Sequence, residues 1–323
     1  MKKLQKVYII MIALFAWAIN CAAIPVSQNE PVPVASQQTE KSPVNESKKP
    51  VITAKTLTVA QDGSGDFLTI QTAVDAAPNN ANIVVSPGTY NENVRITNKA
   101  VNIIGSGKDN CVLTYDTVNY LYVPLEIAAG SVSNITIYGY HSQDSISNYE
   151  TNLAIASYGA DVYEPVKDVS GYAVHVEQDY LYGKSLTFTD CRIISENSHC
   201  VGIGSRGRST LKFKNCEFIN SNCAGCIAMH DSVSEQFGGK TTFIMENCSL
   251  TTSGEYTIAL LTYNTFNSFD MKFTNVTAVD NDGTLSVPIL AVNYTGTNDG
   301  WAGLCNTRLL SGSKGNNIAI MNY

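Results

Sequence analysis

The fold of this chain is decided by an eight-residue pattern that occurs four times: Leu186-Thr-Phe-Thr-Asp-Cys-Arg-Ile193, Leu211-Lys-Phe-Lys-Asn-Cys-Glu-Phe218, Phe243-Ile-Met-Glu-Asn-Cys-Ser-Leu250 and Met271-Lys-Phe-Thr-Asn-Val-Thr-Ala278. Aligned on their sixth residue, the copies lie 25, 32 and 28 residues apart. Short strands repeated at such a period, separated by Asn, Gly and Ser, are typical of a solenoid. The pattern predicts an all-β fold, a single-stranded right-handed parallel β-helix.

Two positions of the pattern predict how the coils stack. The fifth residue is always Asp or Asn, which predicts a ladder of Asx side chains at a turn between stacked coils: Asp190, Asn215, Asn247 and Asn275. The sixth residue is Cys in three copies and predicts an internal ladder of small hydrophobic side chains: Cys191, Cys216 and Cys248. The alternative fold is a β-sandwich, whose strands would recur about every 8–12 residues.

A second strand aligns in each coil: Ala173-Val-His-Val-Glu177, Cys200-Val-Gly-Ile-Gly204, Cys226-Ile-Ala-Met-His230 and Thr257-Ile-Ala-Leu-Leu261. A period of two places the aliphatic residues inside. It places a file of mostly small residues outside: His175, Gly202, Ala228 and Ala259. Two interpretations stay open. The small residues form a shallow groove for an extended polymer, or they lie beneath a packed loop.

The N-terminus predicts export. Three lysines precede Val7–Ile19, an apolar run that is shorter than the roughly 20 residues needed to span a bilayer. Cleavage after Ala23 makes residues 1–23 a signal peptide. A lipoprotein signal with a lipid anchor at Cys21 is the alternative. The protein is therefore expected to be secreted or tethered at the cell surface, and no transmembrane helix is expected in the mature chain.

Residues 24–54 are predicted to be a disordered linker or stalk, and residues 55–323 the β-helix domain. The segment 24–54 holds half of the chain's 10 prolines and no aromatic residue. Such a composition buries too little apolar surface to offset the entropy of ordering.

Composition and charge exclude some partners. The chain of 323 residues is 44% hydrophobic and 15% charged, which excludes a wholly disordered protein. Its formal net charge of -7 argues against a nucleic-acid partner, because neutralising phosphates requires a basic surface. The same charge argues less strongly against an anionic polysaccharide, unless positive charge is focused locally. We expect a monomer.

The segment Leu57–Pro78, which reads Leu-Thr-Val-Ala-Gln-Asp-Gly-Ser-Gly-Asp-Phe-Leu-Thr-Ile-Gln-Thr-Ala-Val-Asp-Ala-Ala-Pro, resembles the opening of pectinesterases. These are β-helix enzymes that demethylate pectin. The resemblance continues through Ile83–Val94 and Asn102–Asp109. It implies a pectin-type polysaccharide as the partner. The helical period of Thr69–Ala77 within this stretch predicts a short capping helix. The buried face of that helix would be Ile70, Ala73, Val74 and Ala77, and Gly63 and Gly65 would supply the preceding turn.

The family's catalytic motifs are not matched. Its two catalytic Gln positions align near Tyr172 and His199, and its two Asp positions align with Cys200 and Cys226. The family's Gly-Arg-Pro-Trp segment is absent, and Trp301 stands in Asp-Gly-Trp-Ala. Ester hydrolysis of this type needs a nucleophilic carboxylate and a carboxylic acid partner, which cysteines do not replace. The resemblance therefore extends to the scaffold but not to the chemistry.

Other polar residues fall near the ends of neighbouring strands and are the candidate catalytic residues: Glu177, Asp179, Arg206, His230 and Asp231. Residues two coils apart would be separated by roughly 10 Å. Carboxylates at about 6.5–9.5 Å suit an inverting glycosidase. The alternative is a set of solvated turn residues with a local Arg–Asp pair. Gln178-Asp179-Tyr-Leu-Tyr182 also resembles the family's Gln-Asp-Thr-Leu-Tyr motif, one coil early.

No metal or cofactor is predicted. Cys223-Ala-Gly-Cys226 lacks the second pair that a zinc site would need, and no dense acidic cluster suggests Ca²⁺. Cys200 and Cys226 are expected to face outward on adjacent coils, where a disulfide is sterically feasible in an exported protein.

Three functions remain open at this point. The first is an exported pectinesterase-like protein acting on pectin-type cell-wall polysaccharide, including a catalytically divergent member. The second is a non-catalytic surface module for glycan binding or adhesion. The third is a polysaccharide lyase or glycoside hydrolase that uses the groove carboxylates. The sequence leaves open whether the protein is an enzyme.

Overall fold

The computed structural model describes residues 55–117, 122–140, 172–196, 199–221, 225–230, 235–253, 257–262, 269–281, 283, 290–294, 305–309 and 318–321. Of residues 230, 235, 259–262, 290–294, 305–309 and 318–321 only the backbone is described. All these residues belong to one compact unit, residues 52–323. The predicted signal peptide and linker lie outside the described residues.

A short helix, α1 (Ile70–Ala76), opens the domain as predicted. Thr69 is its N-cap, and its side chain accepts a hydrogen bond from the backbone N–H of Thr72. The Glu92 carboxylate accepts bonds from the N–H groups of Ile70 and Gln71 at 3.0 and 2.9 Å, so that it satisfies two further donors of the first turn. The predicted apolar face is buried, and the preceding turn places Gly63 at φ +82°. Helix and turn predictions are both confirmed.

Strands make up nearly all the remaining regular structure. In chain order they are β1 (Thr56–Val59), β2 (Ala81–Val85), β3 (Gly88–Asn91), β4 (Val94–Gly105), β5 (Cys111–Asp116), β6 (Leu125–Ser133), β7 (Thr136–Tyr140), β8 (Val174–Val176), β9 (Ser185–Thr189), β10 (Arg192–Ser195), β11 (Val201–Gly204), β12 (Thr210–Lys214), β13 (Glu217–Asn220), β14 (Ile227–His230), β15 (Thr241–Glu246), β16 (Ser249–Thr252), β17 (Ile258–Thr262), β18 (Phe269–Thr274), β19 (Thr277–Asp280), β20 (Leu290–Tyr294), β21 (Cys305–Leu309) and β22 (Ile318–Met321). Every pairing among these described strands is parallel. The predicted all-β, right-handed parallel β-helix is confirmed.

From β7 to β21 the described strands follow the chain in the repeating order sheet 2, sheet 3, sheet 1. Sheet 1 contains β9, β12, β15, β18 and β21, sheet 2 contains β3, β5, β7, β10, β13, β16 and β19, and sheet 3 contains β8, β11, β14, β17, β20 and β22. Sheets 1 and 3 are joined through β6, because its residues Leu125–Glu126 pair with β8 and its residues Gly130–Ser133 pair with β9. The long strand β4 pairs with both parts of β6.

The recurring eight-residue pattern forms two strands rather than one. Its fifth residue adopts the left-handed conformation, with φ +53° at Asp190 and +54° at Asn215, and turns the chain from sheet 1 into sheet 2. Asp and Asn tolerate this conformation better than most residues. The predicted Asx ladder is confirmed: Asn215 donates to Asp190 at 3.0 Å, Asn247 to Asn215 at 3.1 Å and Asn275 to Asn247 at 2.9 Å. The turn lies within each coil, and the ladder runs between coils.

The interior is filled by ladders of like side chains. The three ladder cysteines are buried as predicted, and the neighbouring Cys191 thiol, together with burial, raises the pKa of Cys216 to about 12. Phe188 and Phe213 stack with ring centroids 5.0 Å apart, and Phe243 continues the row at 5.8 Å from Phe213. Such rings remove a large apolar area from water, which is the main stabilisation available to the fold.

Candidate functional site

The predicted groove on sheet 3 is filled at Gly202 and Gly204 by side chains of the preceding coil, whereas Ala228 is half-buried. A Cβ at Gly202 would lie 2.3 Å from Cε2 of Tyr172, and a Cβ at Gly204 would lie 2.3 Å from Cγ of Glu177. His175 of the same outward file is only 4% exposed. Small residues beneath a packed cover are therefore the correct interpretation at Gly202 and Gly204. The side chain of Ala259 lies outside the described residues.

A row of alternating charges crosses the three strands that precede these glycines. Arg95 of β4 is the register partner of Glu126 of β6, which is the partner of His175 of β8. Arg95 Nε lies 2.5 Å from Glu126 Oε2, and His175 Nδ1 lies 3.6 Å from Glu126 Oε1. Gln178 also donates to Glu126. Glu126 is 1% exposed and therefore depends on these partners for its charge.

The row continues through His175 to the turn that follows β8. His175 Nε2 lies 3.2 Å from Glu177 Oε2, and the Tyr172 ring stacks on the imidazole at 5.8 Å with 6° between the planes. Arg206 donates to the backbone carbonyl of Glu177 at 2.7 Å and pairs with Asp179 at 3.2 Å. Opposite charges thus alternate from Arg95 to Asp179 across four coils.

The two histidines beside Tyr172 hold opposite protonation preferences. Burial alone would lower the pKa of His175, but the nearby carboxylates of Glu126 and Glu177, the second of which is hydrogen-bonded to the ring, outweigh it, and the pKa is raised. Burial alone would raise the pKa of Glu126, yet the nearby imidazole of His175 and the hydrogen bond from Arg95 lower it. At His199, whose ring centroid is 6.4 Å from that of Tyr172, burial lowers the pKa to about 4. The charged form of His175 is therefore stabilised relative to an ordinary histidine, and His199 is neutral at pH 7.

Three of the predicted site residues come together: Glu177, Asp179 and Arg206. They form the local ion-pair arrangement that was the alternative to a catalytic role, and Asp179 keeps 72% of its side chain exposed. The backbone of His230 pairs with Gly204 on the neighbouring strand. The side chain of His230 and the whole of Asp231 lie outside the described residues, so a carboxylate pair formed by Asp179 and Asp231 stays a prediction. Gln178 and Asp179 lie beyond β8, where Asp179–Leu181 forms a 3-10 turn with Gln178 as its N-cap.

The expected orientation of Cys200 and Cys226 is wrong. Both residues are fully buried, and each thiol donates to a carbonyl of sheet 2, at 3.2 Å to Ile219 and at 3.2 Å to Thr251. Each cysteine precedes the first residue of its strand, so the strict alternation of β11 and β14 does not extend to it. Neither forms a disulfide, and the same holds for Cys111, Cys191, Cys216 and Cys248.

Sequence reasoning missed the two residues that begin the charged row. Arg95 and Glu126 lie upstream of the repeated pattern, on the strands where sheets 1 and 3 are still joined. The available signal was an isolated acid in an otherwise apolar run, Leu125-Glu-Ile-Ala-Ala129. A lone carboxylate in a buried strand needs a partner, which should have prompted a search for one.

Two further features are absent from the described residues, a metal-binding cluster and a membrane-spanning helix. No group of three His, Cys, Asp or Glu side chains there is arranged to hold a metal ion. No helix in those same segments has the length and apolar character needed to cross a membrane.

Comparison with known sequences points to one family. Residues 56–142 match the family model for Pectinesterase. Pectinesterase 2 of Arabidopsis thaliana is 46% identical over 63 residues, which are 18% of this chain and 11% of that protein. Pectinesterase/pectinesterase inhibitor 18 of the same plant is 27% identical over 210 residues, 61% of this chain and 36% of that protein. The chain thus spans only about a tenth to about a third of these curated relatives.

Solved structures share the fold. Pectin methylesterase PemA from Erwinia chrysanthemi superposes with a TM-score of 0.50 at 16% identity, covering 83% of this chain and 81% of that one. A pectin methylesterase crystallised with a hexasaccharide gives a TM-score of 0.50 at 18% identity, with the same coverage. At these identities the likeness establishes the fold alone. The pectinesterase resemblance is confirmed, and the matched segment 56–142 ends before His175, Glu177 and Arg206.

Proposed function

We propose that this chain is an exported, catalytically divergent pectinesterase-like protein that engages pectin-type cell-wall polysaccharide without demethylating it. One observation carries the proposal. Cys200 and Cys226, which align with the family's two catalytic Asp positions, are buried thiols bonded to backbone carbonyls. Neither position offers a carboxylate to attack an ester or to protonate a leaving group.

The charged row on sheet 3 does not supply a replacement for those carboxylates. Glu126 is almost wholly buried and is paired with Arg95 and His175. Glu177 contacts His175 on one side and Arg206 on the other. A polymer lying across the coils would contact the exposed ends of the row, at Arg95 and Asp179. It would not reach the buried carboxylate of Glu126 in the middle of the row. This arrangement favours binding over turnover.

Export and anchoring belong to the same proposal. The basic and apolar N-terminus supports removal of residues 1–23 as a signal peptide, and Cys21 supports a lipid anchor as the alternative. A linker over residues 24–54 would hold the β-helix domain away from a surface. With such a tether the protein would act as a non-catalytic surface module for glycan binding or adhesion. The charged row favours this function because its carboxylates are paired with neighbouring basic residues and are not available for catalysis.

Incubation of the purified protein with methyl-esterified pectin tests the proposal, with methanol release, polymer length and retention of the polymer all measured. We expect retention with neither methanol nor shortening. Methanol release without shortening would identify an active esterase. Shortening would identify a lyase or hydrolase, for which Asp179→Asn and Arg206→Gln are the first variants to examine. Absence of retention would remove pectin-type polysaccharide as the partner.

A further inference from the structure

A group of cations and tyrosines lies on the turns between sheet 3 and sheet 1. We call it the cation–tyrosine patch and define it as Tyr180, Tyr182, Lys184, Arg208 and Lys240. The three cations are exposed, and the two tyrosines are half-buried. The patch lies at the turns that follow β8 and β11 and precede β15, beyond the strand positions that align with the family's catalytic residues.

The three cations lie on three successive coils. The N–H of Arg208 donates to the carbonyl of Lys240 at 2.8 Å, which places these two residues side by side. On the other neighbouring coil, the N–H of Thr210 donates to the carbonyl of Lys184 at 2.9 Å. Successive coils are about 4.8 Å apart. Positive charge therefore repeats along the helix axis at the spacing of the coils.

The aromatic rings are fixed in place beneath these cations. Lys184 Nζ lies 3.9 Å from the ring centroid of Tyr180, and Arg208 Cζ lies 5.8 Å from that of Tyr182. The Tyr182 ring packs on Phe237, and the Arg206 guanidinium lies 4.6 Å from the centroid of the Phe237 ring. Because Phe237 is buried, the patch has a rigid base.

Among the described residues, the patch cations differ from several other basic residues in forming no ion pair with Asp or Glu. Arg95, Lys108, Arg192, Arg206 and Lys212 each form an ion pair with Asp or Glu. Lys184, Arg208 and Lys240 form none within the parts of the chain that the structure describes. Their charge is therefore available to an anionic ligand.

Arg208 is held in an unfavourable backbone conformation. Its φ of +59° lies in the left-handed region, which glycine enters freely and other residues avoid. Gly239 on the neighbouring coil leaves room for its side chain, since a Cβ there would lie 3.0 Å from Cγ of Arg208. The substitution Arg208→Gly would remove the steric strain of the left-handed backbone and also remove the guanidinium. It therefore tests the patch without a backbone penalty.

We propose that the cation–tyrosine patch binds carboxylate-bearing, de-esterified stretches of a uronic-acid polymer, a selectivity that rests on the proposed function. The formal net charge of -7 repels polyanions at long range, so recognition of one requires such a local concentration of positive charge. Methyl esterification removes the anionic charge that the cations would bind. Tyrosine rings offer flat apolar faces to sugar rings. The protein would then bind the de-esterified polymer, which is the product of ester hydrolysis, more tightly than the methyl-esterified polymer.

Binding of the full chain to polygalacturonate and to highly methyl-esterified pectin, measured at low and raised salt with a chelator present, tests this proposal. We expect tighter binding to polygalacturonate, weakened by salt. Arg208→Gly should lose about fivefold or more in affinity for polygalacturonate. It should not lower the thermal midpoint, because the glycine relieves position 208. Lys240→Gln is the second variant and should weaken the same binding.

Lys214→Gln is the matched control, because Lys214 is an exposed lysine on β12 away from the patch and its removal changes net charge equally. Its affinity should stay within about twofold of the wild type. If the protein binds highly methyl-esterified pectin as tightly as polygalacturonate, or more tightly, the patch proposal alone is overturned. The same holds if Arg208→Gly and Lys240→Gln bind polygalacturonate with the affinity of the wild type. Binding of neither polymer overturns the proposed function as well.

Discussion

Glu126 is predicted to be the most costly single position in the charged row to neutralise, and Glu126→Gln tests this. The carboxylate is 1% exposed and is paired with Arg95 and His175. A hydrogen bond to a charged group contributes about 1.5–3 kcal/mol to stability. Arg95 keeps 48% of its side chain exposed, so its share is discounted for screening by solvent. We therefore expect a loss of about 2–4 kcal/mol in the free energy of unfolding.

Urea-induced unfolding at pH 7, followed by circular dichroism, measures this loss. Glu246→Gln is the matched control, because Glu246 pairs with Lys212 at 2.8 Å while both side chains are about a third exposed. Such a pair contributes about 0–1 kcal/mol. Equal losses in the free energy of unfolding in the two variants would refute the argument that the ion pairs of Glu126 contribute more because they are buried. A loss below about 1 kcal/mol for Glu126→Gln would refute it too.

Three further predictions concern the same region and the Asx ladder. Gly202→Ala places a Cβ against the Tyr172 ring and should cost about 1–3 kcal/mol in the free energy of unfolding, read from a denaturant midpoint. His199 has a pKa of about 4 in the fold against 6.5 when unfolded, so the stability contributed by its neutral form should be complete above pH 6.5 and fall by up to about 3 kcal/mol as the pH drops to 4. His199→Asn should remove this part of the acid-induced loss, measured as the difference between the two proteins at each pH. Asn247→Ala removes two ladder bonds and leaves alanine at φ +53°, so it should lower the thermal midpoint more than Asn247→Gly.

Each of these predictions has an outcome that would contradict it. Undiminished stability of Gly202→Ala would mean that Tyr172 does not occupy the space above Gly202. A wild-type stability that stays flat between pH 6.5 and 4, or an unchanged loss in His199→Asn, would contradict the burial of that imidazole. Equal midpoints for the two Asn247 variants would show that the left-handed backbone carries no cost there.

The repeated pattern was sufficient to predict the fold. Stacking depends on a ladder to which each coil contributes one Asp or Asn, and this residue occupies the same position in every copy of the pattern. Asn215 bonds to Asp190 and Asn247 bonds to Asn215, so spacing alone located the stacked positions. Strand boundaries were less accessible. Around Asp190 the alternation of apolar and polar residues continues without a break in the sequence. The left-handed backbone at Asp190 nevertheless divides the segment into two strands, β9 and β10.

The candidate site was predicted less well, since its contacts join residues that no local pattern relates. Gln178 donates to Glu126 from 52 positions away in the sequence, and β6 pairs with β8 although residues 134–173 separate the two strands in the sequence. Outward orientation was also misjudged at Cys200, because the period of two applies only within a strand. Glu177, Asp179 and Arg206 were correctly expected to be neighbours, as they follow adjacent strands of sheet 3.

Methanol release measured on protein that is bound to methyl-esterified pectin tests the central claim most directly. Protein retained on the polymer is washed, held at pH 7 and compared with the polymer alone. Because buried thiols stand where the family's two carboxylates align, the protein should remain bound while methanol stays at the level of the polymer alone. Methanol above that level, produced in proportion to the bound protein, would contradict the account and show that ester hydrolysis proceeds through other residues.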